Sequence, residues 1–167
     1  PRALWLPREH LPWVRLPVHA GYEFELPVLP VPALEEALAE KLAAWRRRRK
    51  MRDLYDLYWF GRGALDEALI RRLLVLKVWH DVVQDHLGSG PFDPSVIVEE
   101  FDVDELTPEE IGLLTQPVEP AAWLSFVVDR FAFVVDLDEA ESDVARCSPG
   151  DRWTVQQLTE QLPELSS

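Results

Sequence analysis

Cysteine is nearly missing from this chain. Its one copy among 167 residues, Cys147, excludes an internal disulfide and any zinc cluster built from cysteines. A reducing cytoplasm is the setting that such cysteine usage predicts. No apolar run approaches the about 20 residues a membrane span requires, and no segment has the charged, apolar, small-residue order of an export signal. Aspartate is absent upstream of Lys41. Positive charge is also short, with 17 Lys+Arg against 30 Asp+Glu and a net charge of −13. Such a chain repels nucleic acid at long range, so a polyanion must be met locally.

What is present has an ordinary globular balance, with 47% hydrophobic and 28% charged residues. That length and composition predict one domain, or part of one, with a real core. The charge is split. Up to Lys77 there are 14 Lys+Arg against 10 Asp+Glu, and from Val78 onward 3 against 20. Only the first half can hold phosphates well. The acidic half is either a solvated surface or a face for a basic partner.

Residues 1–32 hold seven prolines between short apolar pieces, and Tyr22, Phe24 and Leu26 alternate with Glu23 and Glu25. This period of two predicts a strand, with the prolines at edges or ends. From Ala33 the period turns helical, and helices are expected at about 33–47, 52–61, 64–86, 107–115, 119–138 and 153–162. Thr107-Pro108-Glu109-Glu110 supplies an N-cap, a proline at N1 and first-turn acids. The near-uniform apolarity of Trp123–Leu137 predicts the central buried helix. The expected fold class is therefore α+β and mostly helical. A β-rich segment occupies 1–32 and a helical domain 33–167.

The unusual residues gather between Ala33 and Phe60. Leu34, Leu38, Lys41, Leu42 and Trp45 share one helix face, so a lysine interrupts an apolar stripe. It either runs its stem outward to water or finds an anion. Six cations follow, Arg46 to Arg49 with Lys50 and Arg52, which suit a solvated helix end or a phosphate contact. Asp53 and Asp56 then project together, within about 60° of each other at 100° per residue. Acids in a first helical turn are ordinary, and Asp53 has Arg52 beside it.

The stretch LEEALAEKLAAWRRRRKMRDLYDLYWF resembles the paired C-terminal motifs of the AbiEii/AbiGii-type nucleotidyltransferase toxins: an AEKL helix, a basic connector, then RDLYDL. Matching residues include Glu36, Glu40, Lys41 and Leu42, then Lys50, Arg52, Asp53, Leu54, Tyr55, Asp56 and Leu57. The resemblance covers about 28 of the 167 residues. It implies a DNA-polymerase-β-like fold that transfers a nucleotide from an NTP with Mg²⁺, with tRNA as an acceptor in some members. It also implies a toxin of a toxin–antitoxin or phage-defence system with a cognate antitoxin protein. In that reading Lys41 contacts the triphosphate and Asp56 supports phosphoryl transfer. Arg52 and Asp53 orient the site, and Arg48 and Lys50 join them as nucleotide or RNA contacts.

The family also carries a GS turn followed by DxD, which holds the metal ahead of the lysine helix, and no such segment precedes Lys41. Gly88-Ser89, twelve residues, then Asp102-Val103-Asp104 imitates it, but after the lysine helix and with no strand before Gly88. It reads as a decoy. With Pro1 in place of an initiator methionine, the expectation is the C-terminal part of a nucleotidyltransferase, inactive alone, with its metal ligands cut off or encoded separately. The rivals are a non-catalytic helical module that binds a partner protein, and a nucleic-acid adaptor using the basic connector alone. His80, Asp81, Asp85 and His86 read as helix surface rather than a metal site, because the histidines are six apart on different faces.

Overall fold

Prolines shape the N-terminal part. A computed structural model describes residues 4–12, 27–106 and 119–163. Strand β1 (Glu9–Pro12) pairs antiparallel with β2 (Val28–Val31), in the register Glu9 to Val31 and Pro12 to Val28. Among the described residues the sheet has only these two strands, and it accommodates Pro12 and Pro30. The strand expected at Tyr22–Leu26 and the helix expected at 107–115 lie outside the described residues.

Six α-helices follow among the described residues: α1 (Leu34–Arg48), α2 (Met51–Phe60), α3 (Glu67–Trp79), α4 (Pro120–Arg130), α5 (Glu139–Ala145) and α6 (Arg152–Glu160). The protein is thus mostly helical with a small sheet. Helix α1 packs on α2 and α3, α2 on α4, and α3 on α5 and α6. Helix α3 is the centre. Ile70, Leu73, Leu74, Val75, Leu76 and Val78 are all fully buried, each contributing about 1.5–3 kcal/mol of apolar transfer.

That corrects the expectation for Trp123–Leu137. The segment is α4 up to Arg130 and then a short 3-10 turn, Ala132–Val135. Its Trp123, Val127, Phe131 and Val134 are buried, but Ala132 and Val135 are exposed. Apolarity all round did not force burial all round.

The expected helix 64–86 is α3 plus a π-helical turn, His80–Gln84. There Asp81 is fully buried and pairs with Arg47 at 3.3 Å, so it is not the surface residue expected. Helix α5 was not anticipated, although its signal is present. Asp138 and Glu141 form a capping box, each side chain accepting the other's backbone N–H. The helix is pinned to α3 where Arg71 Nε meets the buried Glu141 at 2.6 Å.

One glycine is required by space. A Cβ at Gly61 would lie 2.6 Å from the Leu57 carbonyl oxygen and 3.1 Å from the Phe131 ring. With hydrogen there, α2 ends flush against α4, and Arg130 Nε reaches the Gly61 carbonyl at 2.9 Å.

Candidate active site

Two residues fold α2 back along α1. Arg49 caps α1 in the left-handed region at φ 40°, and Lys50 is extended at the N-cap of α2. A non-glycine residue in that region costs about 1–2 kcal/mol. Arg49 is held there from the far side. Its Nη2 donates to the Val96 carbonyl and to Glu99, each at 3.0 Å, and its guanidinium lies 4.6 Å over the Phe101 ring.

The reversal brings the first turn of α2 against the middle and end of α1. Lys41 Nζ reaches Asp56 Oδ2 at 2.5 Å and Asp53 Oδ1 at 3.5 Å. Arg48 grips Asp53 with two parallel bonds, Nε to Oδ2 at 2.7 Å and Nη2 to Oδ1 at 2.9 Å. Asp53 is wholly buried, while the Lys41 and Asp56 side chains are 34% and 30% exposed. A bidentate guanidinium–carboxylate pair is the geometrically specific kind. Asp53 is therefore a fixed anchor, and Lys41 and Asp56 are the groups that solvent reaches.

The pairing of Asp53 with Arg52 weighed from sequence is not the one formed. Arg52 is exposed on α2, and Arg48 takes Asp53 from across the turn. Nor does the arginine run form a free cationic patch. Arg46 lies 5.7 Å over Phe92 and reaches the Ser89 carbonyl, Arg47 meets Asp81, and Arg49 braces the turn. Burial pushes the Arg46 guanidinium below its ordinary value, with Asp81 partly offsetting this. Lys50 is half-buried.

Lys41 also lines two cavities. One, about 530 Å³, is walled by Leu4, Pro32, Glu36, Glu40 and Lys77. The other, about 320 Å³, is apolar and walled by Leu11, Val31, Leu34, Leu38 and Phe60. Sequence reasoning missed the group behind the first cavity. Lys77, only 4% exposed, bonds Glu36 at 2.9 Å and Glu40 at 3.4 Å. The same buried Glu36 accepts the backbone N–H groups of Trp5 and Leu6, the latter at 2.7 Å. This clamp pins the N-terminal segment beside Lys41. Its signal was a lysine inside the apolar run LLVLKVW.

The segment that imitates the GS and DxD pattern serves a turn instead. Asp102 accepts from the Asp104 backbone N–H to cap a short 3-10 turn, both aspartates are exposed, and Gly88 sits at φ 88° under Arg46. Among the described residues, no cluster of three His, Cys, Asp or Glu is arranged to hold a metal ion.

Residues 6–159 match the family model for the nucleotidyl transferase AbiEii toxin of type IV toxin–antitoxin systems. No curated protein matches the chain. Among solved structures it is similar to MenT4, a nucleotidyltransferase toxin from Mycobacterium tuberculosis H37Rv, at 45% identity with a TM-score of 0.92. That match covers 98% of this chain and 56% of MenT4, so the chain spans little more than half of the toxin's length. With its AEKL and RDLYDL motifs on α1 and α2 and a family match over nearly its whole length, the chain belongs to the AbiEii nucleotidyl transferase toxin family.

Proposed function

We propose that the protein transfers a nucleotide from an NTP to an acceptor, with Lys41 and Asp56 in the active site and tRNA as the acceptor. An acceptor hydroxyl attacks the α-phosphorus and pyrophosphate leaves. The observation that carries this reading is the Lys41 ammonium, held between Asp56 and Asp53 at the junction of two cavities. Nucleotidyl transfer needs charge neutralised on a triphosphate and reactants held in line, with little covalent work by the protein. Half-exposed ion pairs are worth about 0–1 kcal/mol, so a triphosphate outcompetes Asp56 for the ammonium.

The roles then divide by burial. Lys41 takes phosphate charge, and Asp56 holds the ammonium before the substrate arrives and supports phosphoryl transfer once it is bound. Arg48 and Asp53 keep α1 and α2 in register, and Arg52 and Lys50 face the incoming polyanion. Family membership implies a divalent ion as well as an NTP. Asp53 and Asp56 do not fit that ion as they stand, because both Asp53 oxygens and one Asp56 oxygen are already bonded to cations. No metal-dependent step is assigned to these residues. Residues 1–32 are proposed to complete the nucleotidyltransferase core and 33–167 to form its helical domain. A cognate antitoxin and a cytoplasmic setting complete the reading. No helix among the described residues is long and apolar enough to cross a membrane.

The test is incorporation of labelled NTP into tRNA by the complete protein, beside Lys41→Ala and Asp56→Ala. Both variants should lose transfer while keeping the parental circular dichroism spectrum. Transfer at the parental rate in both would remove the site assignment.

A further inference from the structure

Helix α2 carries a second pattern, of which the nucleotide chemistry uses only Arg52. Arg52, Tyr55, Trp59 and Arg62 recur at i, i+3, i+7 and i+10, a single stripe running past the end of the helix. Cation, aromatic, aromatic, cation is its order. Arg52 and Arg62 are exposed, and Trp59 keeps 42% of its surface in solvent. The rings are in contact: Tyr55 stacks on Trp59 with 6.2 Å between centroids and 28° between planes. Arg62 lays its guanidinium 3.9 Å over the Trp59 ring, and Tyr55 is braced from behind by Trp123 of α4 at 5.2 Å. Asp56, paired with Lys41, follows Tyr55 directly on the same helix.

An exposed indole stacked with a tyrosine and a guanidinium is a platform for π-faces. Two arginines at its ends supply positive charge in a chain whose net charge is −13. Unpaired bases stack on aromatic rings and on guanidinium planes, while arginines meet the phosphates between them. A duplex buries its π-faces and cannot use such a stripe. We propose that Arg52, Tyr55, Trp59 and Arg62 form the track that holds the single-stranded 3′ end of the acceptor polynucleotide. Bases stack on the Trp59–Arg62 pair, and the terminal hydroxyl is led toward Lys41 and Asp56. The proposal rests on the nucleotidyl-transfer reading above, since it assigns that reaction's acceptor.

The complete protein is titrated with a short 5′-labelled single-stranded RNA by fluorescence anisotropy, and separately with a fluorescent NTP analogue. Trp59→Ala should weaken RNA binding about tenfold, the value of one stacked base, and Trp59→Phe should recover most of it. Arg62→Ala should also lower the slope of log affinity against log salt by about 0.7. NTP affinity should not change in any of the three. Parental RNA affinity in both Trp59→Ala and Arg62→Ala overturns the track. So does a blunt duplex that competes as well as the single strand. So does a Trp59→Ala protein that loses its antitoxin but keeps its RNA, which would make the stripe a protein interface. Tight binding of single-stranded DNA of the same sequence, lost in Trp59→Ala, supports the track and marks it as sugar-blind. Failure of the nucleotidyl-transfer reading is registered elsewhere, by transfer that survives Lys41→Ala, so the two outcomes stay distinct.

Discussion

Glu36→Ala tests how the N-terminal segment is held beside Lys41. Glu36 is 1% exposed and accepts three donors: the backbone N–H groups of Trp5 and Leu6, and the ammonium of Lys77. Removing the carboxylate leaves the buried Leu6 N–H without its acceptor, at about 1–3 kcal/mol. It also leaves the Lys77 ammonium, 4% exposed, with only the half-buried Glu40. Breaking a buried pair from one side costs about 3–5 kcal/mol. Glu40 and the Trp5 ring, 5.2 Å from Lys77 Nζ, recover part of that. The sum comes to about 4 kcal/mol, or a fall in Tm of about 8–16 °C for a chain of this size. Lys77→Met also breaks the pair from one side, leaving the buried Glu36 carboxylate with its two backbone N–H donors, so it should cost about 3 kcal/mol. The double variant should then be more stable than the two single losses imply, with a coupling of about 2 kcal/mol. Thermal and urea unfolding followed by circular dichroism measure all four corners of the cycle. If Glu36→Ala lies within about 0.5 kcal/mol of the parent, or the losses simply add, the clamp is not what holds the segment.

Two further outcomes follow from other parts of the fold. At Arg49, Gly removes the cost of the left-handed cap while Ala keeps it, and both lose the bonds to Val96 and Glu99. Arg49→Gly should therefore be about 1 kcal/mol more stable than Arg49→Ala by urea midpoint, and equal midpoints would refute the strain argument. His80, which packs 4.9 Å from Trp5, has its pKa lowered from 6.5, chiefly by burial. The native state thus favours the neutral ring and the unfolded chain takes the proton first, so stability falls as pH drops from 6.5 through the lowered value. Between about pH 8 and pH 5 the parental Tm should drop more than that of His80→Gln, and parallel curves would contradict this.

How much of this was legible in sequence depends on reach. Lys41 and Asp56 are singled out by the resemblance of the two motifs; helix period alone leaves Lys41 free to run its stem to water, and the contact of the two side chains depends on α2 folding back along α1. Asp53 was misread for a related reason. Its nearest cation in sequence, Arg52, is adjacent and points elsewhere, while Arg48 reaches it only because Arg49 adopts a left-handed turn. Nothing in the residue types announces that turn. The Lys77–Glu36 pair spans 41 positions, beyond any local period, and the π turn that buries Asp81 has no sequence signature. The length of an apolar run misled in the other direction. Trp123–Leu137 reads as central because its apolar residues crowd together, but α3 is the more buried helix, and the charge of its one buried lysine, Lys77, is met internally by Glu36. Helix α5 is spelled locally, by the capping box of Asp138 and Glu141.

The central claim is that the Lys41 ammonium, held in the free protein by Asp56, is the group that receives triphosphate charge. Calorimetric titration of an NTP into the complete protein tests it most directly, with Lys41→Met and Asp56→Asn alongside. Lys41→Met should lose about tenfold or more in affinity, the value of one charged hydrogen bond to phosphate. Asp56→Asn removes the competing anion, so it should bind the NTP at least as tightly as the parent while transferring nothing. NTP binding by Lys41→Met at the parental affinity, or weaker binding with undiminished transfer in Asp56→Asn, would contradict the account.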